Sequence, residues 1–183
     1  MGFAFLSVNA PNSSRHITES RRLAELASPP RRLPGIRRHY ASCHLHRPLP
    51  EVFAFFADPR NLAAITPPDI GFRILTPEVG MRDGAMLAYR IELHGVVFGW
   101  RSRILRWDPP FGFVDEQVSG PYSVWHHIHT FTDEGDRVRM DDEVLYRMPV
   151  WPLGEVASPW VKKEVERIFA YRARRIREIF DEL

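Results

Sequence analysis

The strictest alternation of apolar and polar residues falls in residues 137–147. Val138, Met140, Val144 and Tyr146 share one parity there, and Arg137, Arg139, Asp141, Glu143 and Arg147 the other. Successive side chains of a strand point to opposite faces, so this stretch predicts a strand with one buried and one solvated face. Asp142 breaks the pattern by setting a carboxylate among the apolar positions. The same period of two recurs in residues 85–93, where Leu87, Tyr89, Ile91 and Leu93 are in phase. It recurs again in residues 96–107, where Val96, Phe98, Trp100, Ser102 and Ile104 oppose Arg101 and Arg103. His94-Gly95 between them suits a two-residue turn. Residues 111–131 predict two more strands around Ser119-Gly120-Pro121, residues 71–76 a short one and residues 38–46 the first.

Helical spacing appears elsewhere. After Pro48 and Pro50, Val52, Phe53 and Phe56 predict a short helix over 51–57. Asp58-Pro59 fits an N-cap followed by proline at the first helical position, opening a second short helix through Ile65 that Thr66-Pro67-Pro68 stops. Ser158-Pro159 opens a long helix whose apolar stripe contains Val161, Val165, Ile168, Phe169, Ile176, Ile179 and Phe180. Such a stripe needs a matching apolar surface, which the inner faces of the strands supply. The class is α+β.

Turn lengths set the register of hairpins. A loop centred on Glu134-Gly135 places His127 opposite Asp142, Trp125 opposite Val144 and His129 opposite Met140. The turn at His94-Gly95 places Tyr89 opposite Trp100. A three-residue turn at Ser119-Gly120-Pro121 keeps Asp115 and Gln117 on the face of His127. These assignments agree on one inner face, with the arginines and most acids outside. His126 has the opposite parity and is expected to be exposed.

The inner face therefore mixes acids, an amide and imidazoles with tryptophan. A buried carboxylate without a partner is costly. His127 beside Asp142 resolves this, because the carboxylate accepts an imidazole N–H, fixes the tautomer and favours the protonated ring. Ser102, Trp125 or Gln117 would do the same for Asp115. Three readings stay open. The cluster is the polar end of an apolar cavity, with Asp115, Gln117, His127, His129 and Asp142 holding a ligand that Tyr89, Trp100, Trp125 and Tyr146 enclose. Alternatively it is a satisfied internal network that touches no ligand. As a metal site, His127-x-His129 would be completed by Asp142 or Asp115; the aromatic surroundings fit hydrogen bonding equally well, and no metal or other cofactor is assigned. Cys43 has His44 and His46 near it along one strand, which does not make a catalytic dyad. Trp151 and Trp160 close the cavity mouth or pack under the loop between them.

Composition narrows the classes. A chain of 183 residues with 44% hydrophobic and 26% charged content suits one domain with a real core. Net charge of +2 implies no polyanionic partner, and no nucleic acid is expected. The single cysteine rules out an intrachain disulfide and is compatible with a reducing, cytoplasmic location. No apolar run reaches the roughly 18 residues of a membrane span. Residues 1–36 differ from the rest, with Arg15, Arg21, Arg22, Arg31 and Arg32 among Asn, Ser and Pro. They lack the n-region of a signal peptide and the acid-poor composition of a transit peptide, and Leu6 stands where a myristoylation motif wants Ser or Thr. They read as a solvated, disordered extension, the alternative being a short helix at 17–27, preceding one domain over 37–183.

One resemblance is specific. Residues 38–180 resemble the SRPBCC (START-like, polyketide cyclase/dehydrase-related) superfamily, and within it a bacterial ligand-binding subgroup. The matching residues are VFAFFADPRNLAAITPP from Val52, then Gly84, Tyr89 and Trp100. FVDEQVSGPYSVWHHIHTF from Phe113, Asp142 with Tyr146 and Pro149, and IFAYR from Ile168 complete the set. The resemblance implies a helix-grip fold, in which a curved seven-stranded antiparallel sheet wraps the last helix, with two short helices after the first strand. It implies a pocket for a small hydrophobic molecule. The superfamily spans lipid carriers, hormone receptors, cyclases and oxygenase subunits, so it does not choose between binding and catalysis. The oxygenase branch requires an iron–sulfur domain, which one cysteine cannot supply. The expectation is a binder of a largely apolar molecule. The alternative is a cyclase or dehydratase with His127, tuned by Asp142, as general acid/base. A third is an interaction module with a filled pocket.

Overall fold

The computed structural model describes residues 33–76, 80–150 and 153–181. Trp151 and the helix expected at 17–27, with most of the 1–36 extension, lie outside them. Seven strands form one antiparallel sheet: β1 (Arg37–Leu45), β2 (Arg73–Ile74), β3 (Met86–Leu93), β4 (Val96–Asp108), β5 (Gly112–Ser119), β6 (Val124–Asp133) and β7 (Val138–Arg147). The order across the sheet is β1-β7-β6-β5-β4-β3-β2. Strands β2 to β7 are a run of neighbours, and β1 adds to the edge beyond β7. Helix α1 (Leu49–Ala57) and a 3-10 helix (Pro59–Ile65) carry the chain from that edge to the opposite one. A second 3-10 helix (Leu153–Ala157) leads into α2 (Ser158–Asp181), which the curved sheet grips.

Two apolar clusters fasten α2 to the sheet. Leu45, Val52, Phe53, Phe131, Ile176 and Phe180 join β1, α1, β6 and the end of α2. Val144, Tyr146, Val161, Val165 and Phe169 join β7 to its beginning. Each such side chain, fully buried, contributes about 1.5–3 kcal/mol. Arg47 Nε donates to the Phe180 carbonyl at 2.9 Å, satisfying one of the last-turn acceptors that a helix leaves open. Arg167 reaches Asp69 at 2.9 Å and ties α2 to the loop after the first 3-10 helix.

Local chemistry accounts for most boundaries. Asp58 accepts the Arg60 backbone N–H at 2.9 Å, the cap expected ahead of Pro59. Helix α1 begins two residues earlier than the expected 51, because Pro50 falls in its first turn, where a missing N–H costs nothing. His94 and Gly95 have φ of 51° and 78°, as a type I′ turn requires, and Tyr89 does face Trp100. Strand β2 is regular over two residues only, although pairing continues beyond it. The Thr76 hydroxyl, in place of a backbone carbonyl, accepts the Ala88 N–H at 2.9 Å.

Three expectations are corrected. The β5–β6 connection runs over 120–123 and not over the three residues 119–121, and Asp115 faces His127. The β6–β7 loop has four residues, 134–137, and not two: Glu134 N donates to the Arg137 carbonyl, and Asp133 accepts the Gly135 N–H at 2.9 Å. The register shifts by two, so His129 faces Asp142, His127 faces Val144, Trp125 faces Tyr146 and Phe131 faces Met140. A shift of two leaves every side chain on its expected face. His126 is on the outer face as expected, yet buried. It lies opposite Leu145, on the face where Val114, Ile128 and Leu105 form an apolar cluster, so the outer side of the central strands is not uniformly polar. Around that cluster the outer face is polar: Arg38 pairs with Glu143 at 2.8 Å, and Tyr40 and Ser42 each donate to Asp141 at 2.7 Å.

Candidate functional site

Between the concave face of the sheet and α2 lies a cavity of about 570 Å3. Its walls are mainly apolar, from Phe55, Phe56, Ile65, Leu87, Ile104 and Val165 among others. Polar side chains gather along the central strands. Asp115 and His127 face each other across β5 and β6, and His129 is two residues further along β6. All three line the cavity. Asp142, from β7, does not. It sits behind the two rings, 4% exposed.

The four side chains form a closed set of contacts. Asp142 Oδ1 is 2.8 Å from His129 Nδ1 and 3.3 Å from His127 Nε2. Asp115 Oδ2 is 3.3 Å from His129 Nε2 and 3.7 Å from His127 Nδ1. Each imidazole thus has one nitrogen toward the deep carboxylate and one toward the carboxylate at the cavity. The two ring centroids are 3.8 Å apart, and His129 stacks on Phe113 at 4.1 Å. The expected partner of Asp142, His127, is in place despite the shifted register, and His129 joins it at shorter range. The expected partners of Asp115 are not used: histidines serve it instead, and Ser102 is otherwise engaged.

These contacts separate the two rings electrostatically. Burial would lower His129, but the Asp142 and Asp115 carboxylates outweigh it and hold the ring above its ordinary value. Burial and the charge on His129 push His127 down to about 4, against the pull of the carboxylates. Asp142 does pull His127 toward its protonated form, as expected, but burial and the neighbouring His129 outweigh that pull. Burial would raise both carboxyls; the histidines override it and keep Asp115 below, and Asp142 well below, the usual carboxylate range.

Aromatic groups form the adjoining wall. Trp100 and Trp125 meet edge to face at 5.1 Å, and Tyr89 stacks on Trp100 at 5.7 Å. Trp100 Nε1 donates to Ser102 Oγ at 3.0 Å, and the Tyr89 hydroxyl is 3.4 Å from the same oxygen. Burial and the nearby Asp115 charge push the Tyr89 phenol up. Tyr89, Trp100 and Trp125 line the cavity as expected, whereas Gln117 and Tyr146 do not. Gln117 Nε2 donates to the Tyr122 carbonyl at 2.5 Å and braces the β5–β6 turn. Tyr146 packs beneath Tyr122 and Trp125, at 5.9 and 6.1 Å. At the mouth, Trp160 is half exposed and its ring lies 5.3 Å from His94. Cys43 is buried and its thiol is pushed up to about 11 by burial and the Asp142 charge, which suits packing and not nucleophilic attack.

One lining residue escaped the sequence reading. Arg172 of α2 enters the cavity wall with its guanidinium 4.8 Å from the Phe169 ring, and its Nε is buried without a hydrogen-bond partner. Its spacing from Val161, Val165 and Ile168 sets it on the apolar stripe, where a cation is out of place. That position was the available signal.

No protein-family model matches the chain, and no curated protein matches it. Solved structures do. The Zhui aromatase/cyclase from Streptomyces sp. R1128 is similar at a TM-score of 0.65 and 16% identity, over 80% of this chain and 94% of that one. A protein from Arthrobacter aurescens is similar at 0.61 and 16%, over 80% and 87%. Ginseng major latex-like protein 151 from Panax ginseng is similar at 0.57 and 11%, over 80% and 98%. At these identities the likeness is one of fold. It is the helix-grip fold that the sequence resemblance implied. No helix among the described residues is long and apolar enough to cross a membrane.

Proposed function

We propose that this chain binds a small, largely apolar molecule carrying one anionic or strongly polar end. The observation that carries the reading is the cavity itself: about 570 Å3 of mostly apolar space whose polar groups converge on one region. That volume and that distribution are typical of a small-molecule site. The apolar body would lie against Trp100, Trp125 and Leu87. The polar end would meet His127, His129, Asp115 and Arg172. Arg172 supports an anion in particular, since a buried guanidinium nitrogen without a partner is costly until something accepts from it. Asp142 acts on the ligand only through the rings it holds. Gln117 and Tyr146 support the wall and do not touch the ligand.

A second reading has its own observation. His127 and His129 are in contact and shifted in opposite directions, His127 down to about 4 and His129 upward. Two groups pushed apart in this way make an acid and a base side by side. Proton transfer to and from a bound carbonyl compound, as in a cyclase or dehydratase, would use His127 as base and His129 as acid. Structural neighbours of this fold include an aromatase/cyclase.

The test is titration with anilinonaphthalene sulfonate, which combines an aromatic body with an anionic end. Saturable one-to-one enhancement of its fluorescence, weakened at least tenfold in Arg172→Leu, is expected. Non-saturating enhancement, or no difference in the variant, would refute the reading.

A further inference from the structure

We infer that Asp115, His127 and His129 form a binding site for one divalent transition-metal ion, with Asp142 as the group that positions both imidazoles. The inference uses the polar cluster of the proposed ligand site but does not depend on an organic ligand being bound. One donor atom from each of the three side chains falls within 4.8 Å of the others. The two acid–imidazole edges at the cavity, Asp115 Oδ2 to His129 Nε2 at 3.3 Å and to His127 Nδ1 at 3.7 Å, are the decisive distances. A tetrahedral ion with bonds of about 2.0–2.1 Å to nitrogen and oxygen holds its ligands about 3.4 Å apart. Small adjustments of side chains already in place would close the set.

The second carboxylate makes the assignment specific. A metal-bound imidazole commonly donates its other N–H to a carboxylate, which fixes the tautomer and the ring orientation. Asp142 Oδ1 lies close to the other nitrogen of both rings, 3.3 Å from His127 Nε2 and 2.8 Å from His129 Nδ1. Neither contact is aligned as a hydrogen bond in the described structure; turning each ring so that those N–H groups point at Asp142 would direct the lone pairs of His127 Nδ1 and His129 Nε2 to the Asp115 side.

Charge agrees with geometry. Once both imidazoles are neutral, as metal ligands must be, the two carboxylates leave a formal charge of −2 in a mostly apolar surrounding, which a divalent ion cancels. The donor set of two nitrogens and one oxygen selects ions of the zinc or cobalt type over magnesium or calcium, which require oxygen ligands. Because Asp115, His127 and His129 line the cavity while Asp142 does not, the fourth position would open toward the bound molecule. The ion would there accept an anionic oxygen of the ligand or a water.

The experiment uses the full chain after dialysis against a chelator, with no organic ligand present. Zn2+ is titrated by calorimetry and Co2+ by visible absorption. One-to-one uptake is expected, with a four-coordinate cobalt spectrum and no competition from excess Mg2+. Asp142→Asn should weaken binding by about 10–100-fold. Asp115→Asn should weaken it at least as much. Long-range 1H–15N spectra of the histidines should show coordination through His127 Nδ1 and His129 Nε2, with protons on the opposite nitrogens. This reading of the wild-type chain holds even if a variant fails to fold. No stoichiometric uptake, uptake confined to other histidines, or coordination through the nitrogens facing Asp142 would each overturn the inference. None of these results bears on anilinonaphthalene sulfonate binding, so the two proposals fail separately.

Discussion

Replacing Asp142 with asparagine removes a charge and leaves the volume unchanged. The carboxylate is 4% exposed, and its Oδ1 lies 2.8 Å from His129 Nδ1 and 3.3 Å from His127 Nε2. Asparagine retains one carbonyl oxygen, enough for one of the two N–H groups, and leaves the other opposed by an amide. A hydrogen bond to a charged group contributes about 1.5–3 kcal/mol, and breaking a buried ion pair on one side costs up to about 3–5 kcal/mol. His129 can shed its proton and so limit the loss, which places the expected destabilisation at about 2–4 kcal/mol. For a domain of this size that lowers the melting temperature by roughly 5–15 °C. The pH dependence is the sharper signature. Asp142, held below its ordinary 3.8, contributes stability above that value and loses it progressively as pH falls. His129, held above 6.5, contributes below that value and loses it as pH rises through its folded value. The gap between wild type and variant should therefore be widest between about pH 4 and pH 6.5 and narrow on both sides. Urea unfolding of chelator-treated protein across that range measures it. A gap under about 0.5 kcal/mol at pH 6, or one that does not change with pH, would show that the acid does not hold these rings.

Other perturbations read different parts of the same cavity. His127, held down to about 4, stays neutral in the fold while the unfolded chain takes up a proton below 6.5, so stability should fall as pH drops across that window. The slope approaches about 1.4 kcal/mol per pH unit, and His127→Gln should flatten it in denaturant melts. Leu87 lines the cavity opposite Ser102, and Leu87→Trp should intrude on the space where the probe's rings lie and abolish anilinonaphthalene sulfonate fluorescence with little change in melting temperature. Binding that survives would put the probe elsewhere. Ile104 is buried in both the core and the cavity wall, and Ile104→Ala should cost about 2–5 kcal/mol in urea unfolding. A loss under about 1 kcal/mol would mean that this wall collapses freely.

The sheet and its helix were legible because they rest on local periodicity. Period-two runs gave the long strands, and the stripe from Val161 to Phe180 gave α2. Where a short-range motif sets geometry, register followed too, as at His94-Gly95. It failed at Glu134-Gly135 because a four-residue loop and a two-residue loop share the same turn residues, and only the Asp133 side-chain contact and the Glu134–Arg137 backbone contact distinguish them. Parity survived that error, which is why the cluster of Asp115, His127, His129 and Asp142 was found on the right face. Which ring carries charge could not be read, since it depends on distances of 2.8 and 3.3 Å that no pattern encodes. Gln117 and Tyr146 share the inner parity but stand outside the cavity, because parity gives a face and not a depth. Arg172 and the buried His126 are the opposite case, residues whose composition class hid their surroundings.

The most direct measurement of whether this cavity holds a molecule is mass spectrometry of the purified full chain, native and then denatured. A small compound with an apolar body and an acidic group, bound one-to-one in the native spectrum, released on denaturation and missing from Leu87→Trp, is the expected result. A native mass equal to that of the bare chain after incubation with excess aromatic carboxylates would contradict a ligand-binding role, as would a compound retained equally by Leu87→Trp.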